Sequence, residues 1–339
     1  MKIAVDAMGG DFAPREIVQG AVQAVQEYGF QIILVGDTEK ITAELGSFPR
    51  DKIELVHTKE VIAMDEHPAS SVRKKKGSSI VQANLLVKEG SAQAVVSAGS
   101  TGAAMAASLL YLGRIKGIDR PAIASVLPTM KGGTVLLDVG ANVDCKPQYL
   151  LQFAIMGNLY ASKILGIIKP RVGLLNIGEE ETKGNELTLA AFPLLRQSGI
   201  DFIGNVEGRE VFSGDIDVIV CDGFVGNIVL KTSEGLAMAL KSMIKQEISC
   251  SITAKLGILL TLPSLKRFRQ RIDYTEYGGA PLLGINGISV ISHGSSTAKA
   301  IKNAIRVAAD AVENGLVSSI RADIEKGQDT KGVEYSEEV

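Results

Sequence analysis

Apolar residues run through this chain in short blocks: KIAVD (2–6), QIILV (31–35), IELVH (53–57), QAVVS (93–97), AIASVL (122–127), TVLLD (134–138), RVGLLN (171–176), DFIGN (201–205), DVIVC (217–221) and ISVIS (288–292). Several are apolar at consecutive positions rather than alternating, which is the pattern of strands covered on both faces. Between many of them lie longer segments with helical spacing, long enough for crossover connections. The alternation predicts an α/β fold, a mostly parallel, doubly wound α/β/α sandwich. The residues that follow the strands are small, polar or acidic: VDAMGGD, LVGD, VVSAGSTG, LLDVGAN, LLNIGEE, IGNVEGR, VCDGFVGN and ISHGSS. Open α/β sheets bind ligands outside the carboxyl ends of their strands. The expected edge carries Asp6, Ser97, Asp138, Asn142, Asn176, Asn205, Asp222, Asn227 and His293.

Within SAGSTG, Ser97, Gly99, Ser100, Thr101 and Gly102 mark a strand giving way to a helix. Open N–H groups at such a helix start, with hydroxyls beside them, suit phosphate or carboxylate. Tight strand–helix packing explains the same residues, and the stretch alone does not choose. In DAMGGD, Gly9 and Gly10 let the backbone approach a ligand or take positive φ. Asp11 is placed to cap a helix running through Ile17, Val22 and Val25. Lys183, in NIGEEETKGNEL, is a point charge beside Gly184 and Asn185 that can meet an anion. His293 follows a segment dense in glycine and can hydrogen-bond an oxyanion or act as an acid; a structural histidine fits as well. Neither G-x-x-x-x-G-K-[ST] nor G-x-G-x-x-G occurs, which disfavours the two common nucleotide sites.

Two further segments change the picture. SSVRKKKGSSI concentrates Arg73, Lys74, Lys75 and Lys76 between serines, a dock for an acidic partner or a solvated face. SITAKLGILLTLPSLKRFRQRI carries Leu256, Leu259, Leu260, Leu262, Leu265 and Phe268 beside a basic cluster. Apolar residues next to basic ones fit a membrane-surface anchor or a helical hairpin in a dimer interface. The chain reads as one domain over 1–325 with a helical hairpin extension near 228–272, then a polar tail, 326–339.

Composition narrows the classes. The chain has 339 residues, a formal net charge of −2, no Trp and 5% aromatics, which argues against general nucleic-acid binding. Three dispersed cysteines without a Cys-x-x-Cys pair, and three dispersed histidines, favour a reducing compartment and no metal cluster. No motif calls for a metal or a cofactor. MKIAVD enters a buried strand directly, without a secretory signal pattern, so a cytoplasmic location is expected.

Taken together, MKIAVDAMGGD, SAGSTGA, LDVGAN, NIGEE with KGN, GNVEGR, CDGFVGN, YGGAPLLGINGI and HGSS resemble the PlsX-type acyl-carrier-protein:phosphate acyltransferases over roughly Met1 to Ser296. The resemblance implies transfer of a long-chain acyl group from acyl carrier protein to inorganic phosphate, giving acyl phosphate. It also implies the fold of phosphotransacetylases and of isocitrate and isopropylmalate dehydrogenases. Homodimers attached peripherally to the inner, anionic membrane surface are implied too, with the product passing to a membrane glycerol-3-phosphate acyltransferase. In this frame Asp6, Gly9, Gly10, Ser97, Gly99, Ser100, Thr101, Gly102, Asn142 and Asp222 are expected to bind phosphate and substrate. Lys183, Asn205, Asn227 and His293 are expected to be catalytic. The alternatives are an acyl-CoA phosphotransacetylase and a non-catalytic scaffold that binds phosphate or acyl chains.

Overall fold

The apolar blocks do form strands. The computed structural model describes residues 1–249, 253, 257, 261, 263–265 and 277–334. Among these, one sheet contains β1 (Lys2–Asp6), β2 (Gln31–Gly36), β3 (Ile53–His57), β4 (Ala94–Ser97), β5 (Ala122–Thr129), β6 (Gly132–Leu137), β7 (Arg171–Asn176), β8 (Asp201–Glu207), β9 (Val218–Val220), β10 (Ala280–Leu283) and β11 (Ile288–Ile291). Their order is β3-β2-β1-β4-β11-β10-β5-β6-β9-β7-β8. Most neighbours pair in parallel, as the consecutive apolar runs predict.

The helices are α1 (Arg15–Tyr28), α2 (Thr38–Leu45), α3 (Pro68–Lys74), α4 (Ser79–Lys88), α5 (Thr101–Tyr111), α6 (Pro147–Lys163), α7 (Glu186–Arg196), α8 (Gly223–Ser249), α9 (Ala298–Glu313) and α10 (Leu316–Glu334). They cover both faces. On one face Ile17 and Val18 of α1, Phe153 and Tyr160 of α6, Ile301 and Ile305 of α9 and Ile320 of α10 pack with Val5, Val96, Leu137 and Val220. On the other, Val72 of α3, Val81 of α4, Ala103 and Ala107 of α5 pack with Ile123, Leu136 and Ile219. Each fully buried Leu, Ile or Phe adds ~1.5–3 kcal/mol of favourable transfer. Two-sided burial of this kind therefore explains why these strands tolerate no polar alternation.

The strand that the sequence pattern misses is β10, and it changes the layout. It runs antiparallel to both β11 and β5, and β5 runs antiparallel to β6. The strands β6, β9, β7 and β8 consequently run opposite to β1, β2, β3, β4 and β11. Their carboxyl ends lie along two opposite edges, not the single edge expected. Two local expectations also change. Asp11 does not cap α1, whose N-cap is Pro14 with no side-chain bond. Helix α10 reaches Glu334, so the segment expected to be a tail begins as helix.

Among the described residues no helix is long and apolar enough to cross a membrane. Of the apolar positions singled out near the hairpin, Leu265 is described and is 40% exposed. Leu256, Leu259, Leu260, Leu262 and Phe268 lie outside the described residues.

Candidate active site

At the carboxyl ends of β1 and β4 the loops cross at close range. Asp6 is 2% exposed. The Ser97 hydroxyl donates to its Oδ2 at 2.7 Å, and the Met8 N–H donates to Oδ1 at 3.2 Å. The Gly99 N–H donates in turn to the Ser97 hydroxyl at 3.1 Å. A side chain at Gly9 would place its Cβ 2.5 Å from Asp6 Oδ2 and 2.7 Å from the Gly99 nitrogen. Only glycine allows the two loops to meet. Burial pushes the Asp6 carboxyl above its ordinary value, while donors from Ser79, Ser97, Met8 and Gly9 pull it back down.

Beside Asp6 lies a cavity of about 10 Å³, bordered by Asp6, Gly9, Ser79, Ser97, Gly99 and Ser100 on its polar side. Val61, Ile62, Ile80 and Ala103 close the rest. Helix α5 starts here. Its N-cap, Ser100, makes no side-chain cap bond, so the first-turn N–H groups remain available to a ligand. The start of α3 packs onto it, because a Cβ at Gly102 would stand 2.6 Å from Pro68 Cγ. The loop after β11 joins the same region: the Asp11 N–H donates to the Gly294 carbonyl at 2.8 Å. In that loop the Ser295 N–H donates to His293 Nδ1 at 3.2 Å. An amide N–H only donates, so the proton of the neutral imidazole sits on Nε2.

The segment between β3 and α3, residues 58–67, forms a strap over this cavity through Val61 and Ile62. It is tied to α3 and to the turn at Lys75. Lys75 Nζ donates to Glu66 Oε1 at 2.6 Å and to the Val61 carbonyl at 2.9 Å. Ser71 and the Ala63 N–H also donate to Glu66, at 2.9 and 2.7 Å. These contacts hold the Glu66 carboxyl down at about 2. Lys75, expected on a docking face, is instead half-buried and committed to the strap. Arg73, Lys74 and Lys76 remain exposed.

The remaining expected site residues gather at the other edge. Asp138 is fully buried. It accepts the N–H groups of Ile123, Ala141 and Asn142 and the Asn142 Nδ2, at 3.0, 3.1, 2.7 and 2.9 Å. Asn142 Nδ2 also donates to the Pro121 carbonyl at 2.8 Å, so its amide is structural rather than open to substrate. Asp222 accepts the Val225 N–H at 2.9 Å and caps α8. Asn227 is exposed and lies against Gly140. Asn205 is 8% exposed, and its Nδ2 donates to the Glu180 carbonyl at 2.8 Å. It thereby holds the loop carrying Lys183, whose exposed ammonium makes no ion pair among the described residues.

Two groups result. Asp6, Gly9, Ser97, Gly99 and Ser100 border the cavity, with Gly10, Thr101 and Gly102 next to them in the chain and the His293 loop attached. Asn142, Asp222, Asn227, Asn205 and Lys183 form the second group. Reading the sequence missed Ser79, Val61 and Ile62. The serine pair before IVQANLL is a helix-start signal, but the adjacent basic run drew attention to charge instead.

The whole chain has relatives that decide its family. A profile described as fatty acid synthesis protein matches residues 1–319. The phosphate acyltransferase of Pelotomaculum thermopropionicum is 66% identical over 326 residues, covering 96% of this chain and 95% of the relative. That of Heliobacterium modesticaldum is 61% identical, covering 96% and 98%. The chain belongs to the phosphate acyltransferase family. This acyltransferase shares its fold with the Streptococcus pyogenes phosphotransacetylase, at TM-score 0.65 and 18% identity over 92% of this chain and 94% of that one. The 4-hydroxythreonine-4-phosphate dehydrogenase of Klebsiella pneumoniae matches at TM-score 0.51 and 14% identity, over 92% and 99%. The phosphate acyltransferase thus places its SAGSTG turn and its DAMGGD turn against each other on an α/β scaffold shared with the phosphotransacetylases.

Proposed function

We propose that the protein transfers a long-chain acyl group from the thioester of acyl carrier protein to inorganic phosphate, releasing acyl phosphate and the free thiol of the carrier. The observation that carries the reading is the cavity at Asp6 and Ser97, opening at the start of α5. Phosphate is itself the nucleophile, so the protein's task is to hold it and to meet the developing charge. Ser100 and Thr101, with the N–H groups of the first α5 turn, supply the phosphate contacts. Ser97 has committed its proton to Asp6 and orients that carboxyl instead.

A phosphate oxygen attacks the thioester carbonyl, the C–S bond breaks, and the proton that the phosphate carried ends on the carrier thiol. His293, with its proton on Nε2, is suited to donate that N–H to the thioester carbonyl oxygen and polarise it, while the proton reaches the thiol from the phosphate. Of the set expected to be catalytic, Lys183 and Asn227 stand at the opposite edge of the sheet from this cavity, so the N–H groups of the first α5 turn are the nearer candidates for meeting the charge on the carbonyl oxygen. Asn205 leaves that set, because its amide supports the Lys183 loop.

The reading extends to assembly. Leu236, Leu240, Met243 and Ile244 form an exposed apolar stripe on α8, spaced to lie on one helix face. A second copy of the chain covers this stripe, and the apolar and basic segment beyond it in sequence rests on the inner surface of an anionic membrane, delivering product to a glycerol-3-phosphate acyltransferase there. The deciding experiment follows acyl phosphate formation by purified protein from phosphate and palmitoyl-acyl carrier protein, with palmitoyl-CoA in parallel. Preferential turnover of the carrier thioester supports the proposal. Turnover of the CoA thioester alone makes the protein a phosphotransacetylase, and phosphate binding without turnover makes it a scaffold.

A further inference from the structure

The hydrogen bonds around the cavity all point one way. Gly99 donates to Ser97, and Ser97 donates to Asp6; Met8 donates to the other carboxylate oxygen. The carboxyl of Asp6 is the end of this chain, an acceptor bordering the cavity and 2% exposed. The cavity, at about 10 Å³, has room for one water-sized group beside it. An ionised carboxylate offers about four acceptor sites, and among the described residues Ser97 and Met8 donate to it at hydrogen-bond distance. A ligand oxygen that faces Asp6 therefore meets an acceptor, and it makes a hydrogen bond to that carboxylate only if it brings a proton.

We propose that Asp6 makes this site selective for an oxyanion that carries a proton, admitting phosphate and rejecting sulfate, by accepting a hydrogen bond from the P–OH group. The proposal rests on the reading of the cavity as the phosphate site. At neutral pH phosphate retains at least one proton and sulfate retains none. A sulfate oxygen in the cavity would face the carboxylate as a second unpaired acceptor, with two negative charges in contact away from water. The burial that raises the proton affinity of Asp6 also makes it a better acceptor for P–OH. The other three oxygens of the bound phosphate remain outside, at the start of α5. The feature explains why an anion site is furnished with a carboxylate at its floor.

The test is calorimetric titration of the full-length protein with inorganic phosphate and with sulfate at pH 7.5 and fixed ionic strength. A site built to pair with a ligand hydroxyl rejects the analogue that lacks it, so phosphate should bind at least ~10²-fold more tightly than sulfate. In Asp6→Asn the amide can donate to either anion, and the ratio should fall below ~10-fold, with sulfate binding strengthened. Monofluorophosphate, close to phosphate in shape but fully ionised at this pH, should behave like sulfate on the unaltered protein, which keeps the test independent of how Asp6→Asn folds. Comparable binding of phosphate, sulfate and monofluorophosphate, or an unchanged ratio in a folded Asp6→Asn protein, overturns the selectivity. Binding of no anion at all overturns the phosphate reading itself.

Discussion

At the scale of single residues, the site depends on atoms that are missing as much as on those present. Gly9 leaves the space that Asp6 and Gly99 use, and a methyl group there would stand 2.5 Å from the carboxylate. Gly9→Ala should therefore abolish phosphate binding in calorimetry while the far-UV circular dichroism spectrum is retained, because the clash is local to the two loops. Asp138 has the opposite role. Its carboxylate satisfies four donors from two chain segments. Asp138→Ala leaves them unpaired at ~1–3 kcal/mol each, so a loss of about 4 kcal/mol or more is expected from the urea midpoint, with an unchanged m-value. At this scale the sequence showed which residue types would cluster but not which atoms were already spoken for. Asn142, Asn205 and Ser97 carry the right groups, yet each has turned its donor to a neighbour. That commitment is set by contacts between distant segments, which no local pattern records.

At the scale of elements, the strap over the cavity has a defined pH response. Its Glu66 carboxyl is held at about 2, below an ordinary 4.5, by Lys75, Ala63 and Ser71. A carboxyl depressed in the folded state stabilises above its unfolded value and loses that contribution as pH falls through the folded one. Protection of residues 58–67 in amide exchange should therefore persist down to about pH 4.5 and decline toward about pH 2. Glu66→Gln should already lack the added protection at neutral pH; a strap equally protected in both proteins would show that the ion pair does not hold it. Helix α8 carries a second element-scale prediction. On the proposed assembly the unaltered protein should sediment as a dimer, and Leu240→Glu with Met243→Glu should sediment as a monomer, since both residues stand exposed on one stripe.

The elements also show where pattern reading stops. Strands such as Val95–Val96 within β4 announced themselves by consecutive apolar residues. APLL of β10 did not, since it is short, contains Pro281 and lies among glycines. Its antiparallel pairing to β11 and β5 divides the expected single polar edge into two. Chain direction across a sheet is decided by non-local pairing, so the composition of the loops was legible while their placement was not.

At the scale of the whole molecule, the proposed reaction has a near-neutral chain meet a strongly acidic carrier, which calls for local charge. Arg73, Lys74 and Lys76 are exposed, and Lys75 is occupied. Reversing the charge of the first three while keeping Lys75 should raise KM for acyl carrier protein several-fold at low salt with little change in kcat. The difference should shrink as salt approaches ~0.15 M and above, where the screening length falls to about 8 Å. An equal effect on the small thioester palmitoyl-CoA would assign the change to the site rather than to docking.

The strand order has one more consequence, which concerns synthesis on the ribosome. Strand β4 is made early, but its second neighbour in the sheet, β11, comes about 190 residues later, on the order of 10–40 s at ordinary elongation rates. Throughout that interval the nascent chain holds an apolar strand, Ala94–Ser97, with one edge unpaired. Helix α1 waits longer still, about 270 residues, for α9, the element whose Ile301 fits against Gly20. The protein therefore completes its first-made half last, and ribosome-stalled chains ending before residue 280 should be chaperone clients and aggregation-prone, whereas release of the full chain closes the sheet.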